Sequence, residues 1–173
     1  FSPNHLALLT DGPQARRKFI DNAISQIIPR YSAVIKEYNR ALKQRNAVLR
    51  DIRWHSELLD MIDAFEDRIS HYGAKIMRLR DKYISKLSKY AEEIYDGISG
   101  KIEKIYIKYS PQTVCEDLSS ENDIYIKLRK SFKNSRDEDI NNGTTSVGPH
   151  RDDISIDINE LSARIYGSQG QQR

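Results

Sequence analysis

Two stretches decide the fold: YSAVIKEYNRALKQRNAVLRDI, residues 31–52, and LLDMIDAFEDRISHYGAKIMRLRDKY, residues 58–83. In the first, Tyr31, Ile35, Tyr38, Leu42, Arg45, Leu49 and Ile52 are separated by alternating steps of four and three. In the second, Leu58, Ile62, Phe65, Ile69, Tyr72, Ile76, Leu79 and Tyr83 repeat the alternation. That spacing keeps one seam of a helix turned toward one partner, the heptad pattern of a coiled coil. After Tyr83 the seam steps by four again, to Leu87, then continues to Tyr90 and Ile94. The extra step is a stutter, which locally unwinds a supercoil. The link at residues 53–56 is too short for anything but an antiparallel turn. The expectation is a helical hairpin with Trp54 and His55 near its tip. Roughly 24 residues at ~1.5 Å each give an arm about 36 Å long. Gly73 inside the second helix costs about 1 kcal/mol, which the seam should absorb.

Charge supports the same pairing. Residues 30–53 carry seven basic and two acidic side chains, whereas residues 57–67 carry five acidic and no basic ones. Folding back at Trp54 sets the acidic stretch beside Arg45, Arg50 and Arg53. Exposed pairs contribute little each, so they select register more than they add stability.

Outward from the hairpin, Gly12-Pro13 reads as a helix start, since Pro is acceptable at the first position. Phe19, Ile20, Ala23, Ile24, Ile27 and Ile28 then form one apolar stripe, and Pro29 either kinks that helix or opens the next. Gly97 and Gly100 end the arm. Ile105, Ile107 and Tyr109 alternate with Tyr106 and Lys108, as in a strand, and residues 110–119 read as a loop. Ser120 with Asp123 is a helix-start pattern, followed by Ile124, Tyr125, Leu128 and Phe132. Residues 134–142 suit a short helix closed by Gly143. Ile154, Ile156 and Ile158 alternate with polar residues. With Asn159-Glu160 as turn and residues 161–166 returning, they predict a β-hairpin. The fold class is thus α+β, mainly α: an antiparallel coiled-coil helical hairpin arm on a small base with a β-hairpin. The divisions are 1–28 (base segment and first helix), 29–96 (arm) and 97–173 (α+β base).

The 173 residues are 38% hydrophobic and 31% charged, a balance that suits long exposed helices better than a thick core. A net charge of +3 is too small to imply a polyanion partner, so its distribution must decide. One cysteine, Cys115, excludes an internal disulfide and fits a reducing, cytoplasmic setting. No stretch approaches the ~20 uninterrupted apolar residues of a membrane span. Phe1-Ser2-Pro3 begins without Met or a signal-peptide pattern, and the chain reads as a piece of a larger protein.

Three motifs carry the chemistry. The tail Tyr166-Gly167-Ser168-Gln169-Gly170-Gln171-Gln172-Arg173 reads as a loop turning into a helix start, where free N–H groups and the helix dipole attract an anion. From the residues alone, a Gly-containing turn before a surface helix is the favoured reading. Gly148-Pro149-His150-Arg151-Asp152-Asp153 holds one His beside two carboxylates, but adjacent side chains of an extended strand point apart. A turn with Arg–Asp pairing is favoured over a metal site, and no metal ligand is assigned. Arg16, Arg17 and Lys18 open the first helix, at the dipole's unfavourable end for cations. Lys75, Arg78, Arg80, Lys82, Lys86 and Lys89 stand against one acid, Asp81. Such a run is either a solvated helix face or a surface that tracks phosphates. No G-x-x-x-x-G-K-[ST] loop and no apolar run ending in Asp-Glu occurs, so the chain cannot hold ATP unaided and is not an enzyme by itself.

The tail resembles the signature motif of ABC-type ATPases, in the version Gly-Ser-Gln-Gly-Gln-Gln-Arg found in the RecF family of SMC-like DNA-repair proteins. The Gly148–Asp153 motif and Gly12-Pro13 with Arg16-Arg17-Lys18-Phe19-Ile20-Asp21 resemble the same family, in the same order. Gly167 and Gln169 depart from the common LSGGQ pattern in the RecF manner. At residues 3–6, Pro-Asn-His-Leu replaces the family's usual acidic version. The resemblance implies a bacterial, nucleoid-associated ATPase using ATP and Mg²⁺, its phosphate loop and Mg²⁺-binding carboxylate lying on sequence beyond this chain. It implies that Ser168, Gln169, Gly170 and Gln171 complete the ATP site of a partner subunit, with the Ser168 hydroxyl and Gly170 N–H on the γ-phosphate. It further implies an ATP-dependent homodimer clamping gapped or junction DNA, RecO and RecR as partners, and RecA loading. DNA contact through Arg16, Arg17, Lys18, Lys75, Arg78, Arg80, Lys82, Lys86 and Lys89 follows from the same resemblance. The alternative is a coiled-coil interaction module without a nucleotide role.

Overall fold

The structure, a computed structural model, describes residues 11–52, 54–113, 115, 117–159 and 161–167. Helix α1, Pro13–Ile27, starts with its proline at the first position, where the missing N–H is one the helix leaves unpaired anyway. It buries Ile20 and Ile24, but Ile27 is 68% exposed, so the expected stripe is covered along part of its length. Pro29 opens a new helix rather than kinking the old one: α2 is Pro29–Asp51. A single 3-10 turn at Ser56–Leu58 leads into α3, Leu59–Ser99, and Trp54 at the tip is 84% exposed. At 41 residues, α3 is about 60 Å long and runs well beyond α2. Gly100 ends it with φ +63°, a left-handed cap suited to glycine.

Strand β1, Ile105–Ser110, follows. Helix α4, Glu121–Asn134, begins at Ser120, whose Oγ accepts from the Asp123 N–H, as the helix-start pattern predicts. Helix α5, Arg136–Asn142, is closed by Gly143 at φ +64°. Strand β2, Asp153–Ile158, pairs antiparallel with β1, setting Ile105 opposite Ile158 and Ser110 opposite Asp153. The returning strand is shorter than expected. β3 is only Leu161–Ser162, and Ala163–Tyr166 coils into a one-turn helix, α6. Ala163, 1% exposed, is small enough for that turn to sit down on β2. Among the described residues, no helix is long and apolar enough to cross a membrane.

α3 is the axis of the molecule, with α2, α4 and β1 all packed against it. This widens its buried face beyond a two-helix seam. Ile62, Ile69 and Ile76 are buried as the heptads require, but so are Ser70, Gly73, Ala74, Met77 and Ile84 between the seam positions. Phe65, Tyr72 and Leu79 are half-buried. Gly73 is there for space: a Cβ would meet Leu128 of α4 at 3.0 Å and the Pro149 ring at 3.4 Å. Beyond α2, the α3 residues Tyr90, Ile94 and Ile98 are 64–77% exposed.

The hairpin is pinned by a buried charge. Arg45, at a seam position and 0% exposed, donates to Asp139 Oδ2 at 2.7 Å, Thr145 Oγ1 at 2.8 Å and Glu66 Oε1 at 3.0 Å. Its guanidinium also lies 5.6 Å from the Phe132 ring centre. Of the acidic stretch expected beside the basic helix, Glu66 supplies this pair, while Asp63 turns to Arg129 and Arg136. Removing one member of a buried ion cluster strands the others without solvent or partner. Arg45→Ala should therefore lower the unfolding free energy by about 3–5 kcal/mol in urea denaturation. Truncating the exposed neighbour Lys43 should change it by less than about 0.5 kcal/mol.

Candidate nucleotide and nucleic-acid interface

The 143–153 segment is tied down by backbone and side-chain bonds at several points. Asn46 Oδ1 accepts from the Thr145 N–H at 2.9 Å and from its hydroxyl at 2.6 Å, and the Ser146 N–H donates to Asp139 Oδ1 at 2.8 Å. Gly148 has φ +115°, and a Cβ there would lie 2.9 Å from the Tyr38 hydroxyl, so only glycine fits. The next residues then turn, with the Arg151 N–H donating to the Gly148 carbonyl at 2.8 Å.

His150 bridges this turn to α2. Its Nε2 lies 3.1 Å from the Thr145 carbonyl, an acceptor, so Nε2 carries the proton. Nδ1 is then bare and accepts from the Tyr38 hydroxyl at 2.7 Å. Burial pushes the imidazole down to about 4, and the nearby Arg151 and Arg17 add to the depression. Asp152, 0% exposed, accepts from the Tyr109 hydroxyl and, at 2.9 Å, from the Gln112 N–H. Burial raises its carboxyl above the ordinary range. Asp153 faces the other way and takes two 2.8 Å bonds from Arg16 on α1. Burial works upward on it too, but the Arg16 bonds win and hold it low. Among the described residues, no three His, Cys, Asp or Glu side chains gather as a metal site would need.

The motifs at 12–21 and 148–153 thus form one contact set. Arg16 pairs with Asp153, and Arg17 Nη1 donates to the Asp152 carbonyl at 2.6 Å. Arg80 donates from Nε and Nη2 to the two oxygens of Asp21, at 2.9 and 2.8 Å, and from Nη1 to the Pro149 carbonyl at 2.7 Å. The Tyr31 hydroxyl donates to the same Asp21. Sequence reasoning gave Tyr38 only a seam position and Asp21 no role; Asp21 sat inside a quoted motif, and that was the available signal.

This placement divides the nine basic residues. Arg16 and Arg80 are 4% and 3% exposed and bound to carboxylates, so they are corrected from surface cations to internal braces. Lys75, Arg78, Lys82, Lys86 and Lys89 fall on one side of α3. At 100° per residue they occupy an arc of about 80°, opposite the buried face, over roughly 20 Å of helix. Arg78 is partly engaged by the Ser119 carbonyl and Glu121, and Lys75 lies 3.0 Å from His71. Lys82 and Lys86 border an apolar groove that includes Ile27, Ile28 and Tyr90. Lys18 is exposed and Arg17 half-buried. Ser168, Gln169, Gly170 and Gln171 lie outside the described residues. β2, β3 and α6 lead to Gly167, the residue before them, whose N–H donates to the Ala163 carbonyl.

The unfolded chain protonates His150 near 6.5, the fold not until about 4. Its contribution to stability is therefore fully present above pH 6.5 and is lost as pH falls through that window. Urea denaturation should show the wild type losing more stability than His150→Gln between about pH 6.5 and 4.

No protein-family model matches the chain. Among curated proteins it is 40% identical over 173 residues to the DNA replication and repair protein RecF of Clostridioides difficile (strain 630), covering 46% of that protein. It is 41% identical to the RecF of Clostridium perfringens (strain SM101 / Type A), again covering 46%. A solved structure of "the recombination mediator protein RecF-ATPrS in RecFOR pathway" superposes with a TM-score of 0.95 at 35% identity, covering all of this chain and 46% of the other. A second, of RecF-ATP in the same pathway, gives 0.93 at 34%. The mainly helical α+β architecture with its small antiparallel sheet is the one these structures share. The chain is therefore similar along its whole length to RecF proteins, and it spans about half the length of the curated ones it matches.

Proposed function

We propose that this chain is the DNA-binding arm-and-lid region of a RecF-like recombinational repair ATPase. In the whole protein, ATP with Mg²⁺ joins two subunits head to tail. Each Ser168 hydroxyl and Gly170 N–H reaches the γ-phosphate held by the other subunit, and Gln169 and Gln171 hold the loop. Such charge-assisted bonds at a helix start are strong and depend on geometry. Closure brings the basic side of α3 around gapped or junction DNA, and hydrolysis releases it. RecO and RecR are the partners, RecA loading the purpose, and the cytoplasmic nucleoid the place.

The observation that carries this reading is one continuous path. The braced His150–Asp153 turn runs into β2, and β3 and α6 deliver the backbone to Gly167, immediately before Ser168. A loop meant to meet another subunit's nucleotide needs such a rigid lead-in. The relatives' ATP-bound structures support the nucleotide half of the reading, and the α3 cations support the DNA half.

Ser168→Arg in the full-length protein should abolish ATP-dependent dimerisation while leaving its thermal unfolding unchanged. Light scattering with and without ATP is the check, and a variant that dimerised like wild type would overturn the site assignment.

A further inference from the structure

A cleft of about 410 Å³ opens between α1 and α2, with Arg80 and the Pro149-His150 turn as its floor. Three cations line it, Arg17, Lys18 and Arg80, against a single carboxylate, Asp21. Both Asp21 oxygens are already taken by Arg80, and one of them by the Tyr31 hydroxyl as well. The surplus of two positive charges therefore sits with Arg17 and Lys18. The amides of Gln14 and Asn39 supply uncharged donors on the lips.

Arg17 is the telling residue. It is half-buried, it forms no ion pair among the described residues, and its one hydrogen bond there goes to a neutral carbonyl, that of Asp152. Its two buried counterparts, Arg16 and Arg80, both have a carboxylate in a two-bond grip. Burial, followed by the nearby Arg80, weakens its hold on its proton, and Asp153, Asp152 and Asp21 oppose this only through space, none of their carboxylates bonding it. His150 beside it is held neutral by burial first, with Arg151 and Arg17 adding to the depression. A partly dehydrated, unpaired cation facing an open cleft is arranged to receive an anion from outside.

We infer that this cleft is a socket for one phosphate of the nucleic-acid backbone, gripped by Arg17 and Lys18 and flanked by Gln14 and Asn39. A backbone phosphate suits it because the site offers charge and generic donors, while the two rings in its lining, Tyr38 and His150, are hydrogen-bonded to each other. The inference rests on the DNA-binding reading above and sharpens it. It makes Arg17 and Lys18 a single built phosphate site on α1, apart from the α3 stripe, and ties that site, through the Asp152 carbonyl, to the strand that leads toward Ser168.

The test uses the full-length protein and labelled duplex DNA, titrated by fluorescence anisotropy across a series of salt concentrations. Gln14→Glu places a negative charge on the lip at an exposed position, so its fold is not in question. Arg17→Ala removes the grip and is checked for folding by thermal unfolding. Each should weaken low-salt binding about tenfold and flatten the log–log salt slope by about 0.9, the loss of one phosphate contact. Arg17→Lys should restore part of both. Wild-type-like affinity and slope in Gln14→Glu, with wild type binding DNA, overturns the socket alone. Wild type that binds no DNA overturns the DNA reading and the socket together. Weakened ATP binding at unchanged DNA affinity reassigns the cleft to a nucleotide and likewise overturns the inference.

Discussion

An arginine with no exposed surface dictates much of this architecture. Arg45 reaches Glu66 on α3, Asp139 on α5 and Thr145 on the segment that follows. Each acceptor lies on a different part of the chain, so the bonds form only when α2, α3, α5 and the 143–153 segment are all in register. Arg80 with Asp21, and Arg16 with Asp153, repeat the device nearer the base. Replacing such clusters by apolar side chains is often neutral or stabilising, so their value here lies in registry. In a chain that is 38% hydrophobic, registry cannot be left to apolar matching alone.

The same clusters carry rigidity toward the tail. The 143–153 segment has little regular structure, yet Asn46, Tyr38, Arg80, Arg17 and Arg16 each bind it, the first two from α2, Arg80 from α3 and the others from α1. β2 continues directly from it and is paired along its whole length with β1. The chain therefore arrives at Gly167 from a braced support. That is the condition under which a loop can present a hydroxyl and an N–H to an anion without first paying the entropy of ordering its approach.

Long-period features were legible in the sequence, as was the meeting of Arg45 with the acidic stretch, which Glu66 supplies, but the other pairwise features were not. The 4,3 spacing of Tyr31–Ile52 and Leu58–Tyr83 announced the hairpin because a helical seam is a local pattern repeated many times. Ser120 with Asp123, and the left-handed Gly100 and Gly143, announced their helix ends for the same local reason. Arg16 and Arg80 looked like surface cations because nothing within a few residues distinguishes a solvated arginine from a braced one. Their partners are 137 and 59 residues away. Gly73 looked like a tolerated weakness, since the approach of Leu128 and Pro149 is visible only once α4 is packed. The return strand was overread because Ala163-Arg164-Ile165-Tyr166 suits either period, and the contact with β2 decides it. The tail motif could be read only by resemblance, since from Gly, Ser and Gln alone a plain turn is the favoured reading.

α3 has no break between Leu59 and Ser99, although the heptad phase slips at Leu87. The hairpin tip and the sheet-bearing end are thus mounted on one stiff rod. Over about 60 Å, each degree of tilt imposed at the sheet end sweeps the tip through about 1 Å. Sub-ångström adjustments around β1 and β2 are thereby geared up into displacements at the tip comparable to an interatomic contact, with no hinge in between to absorb them.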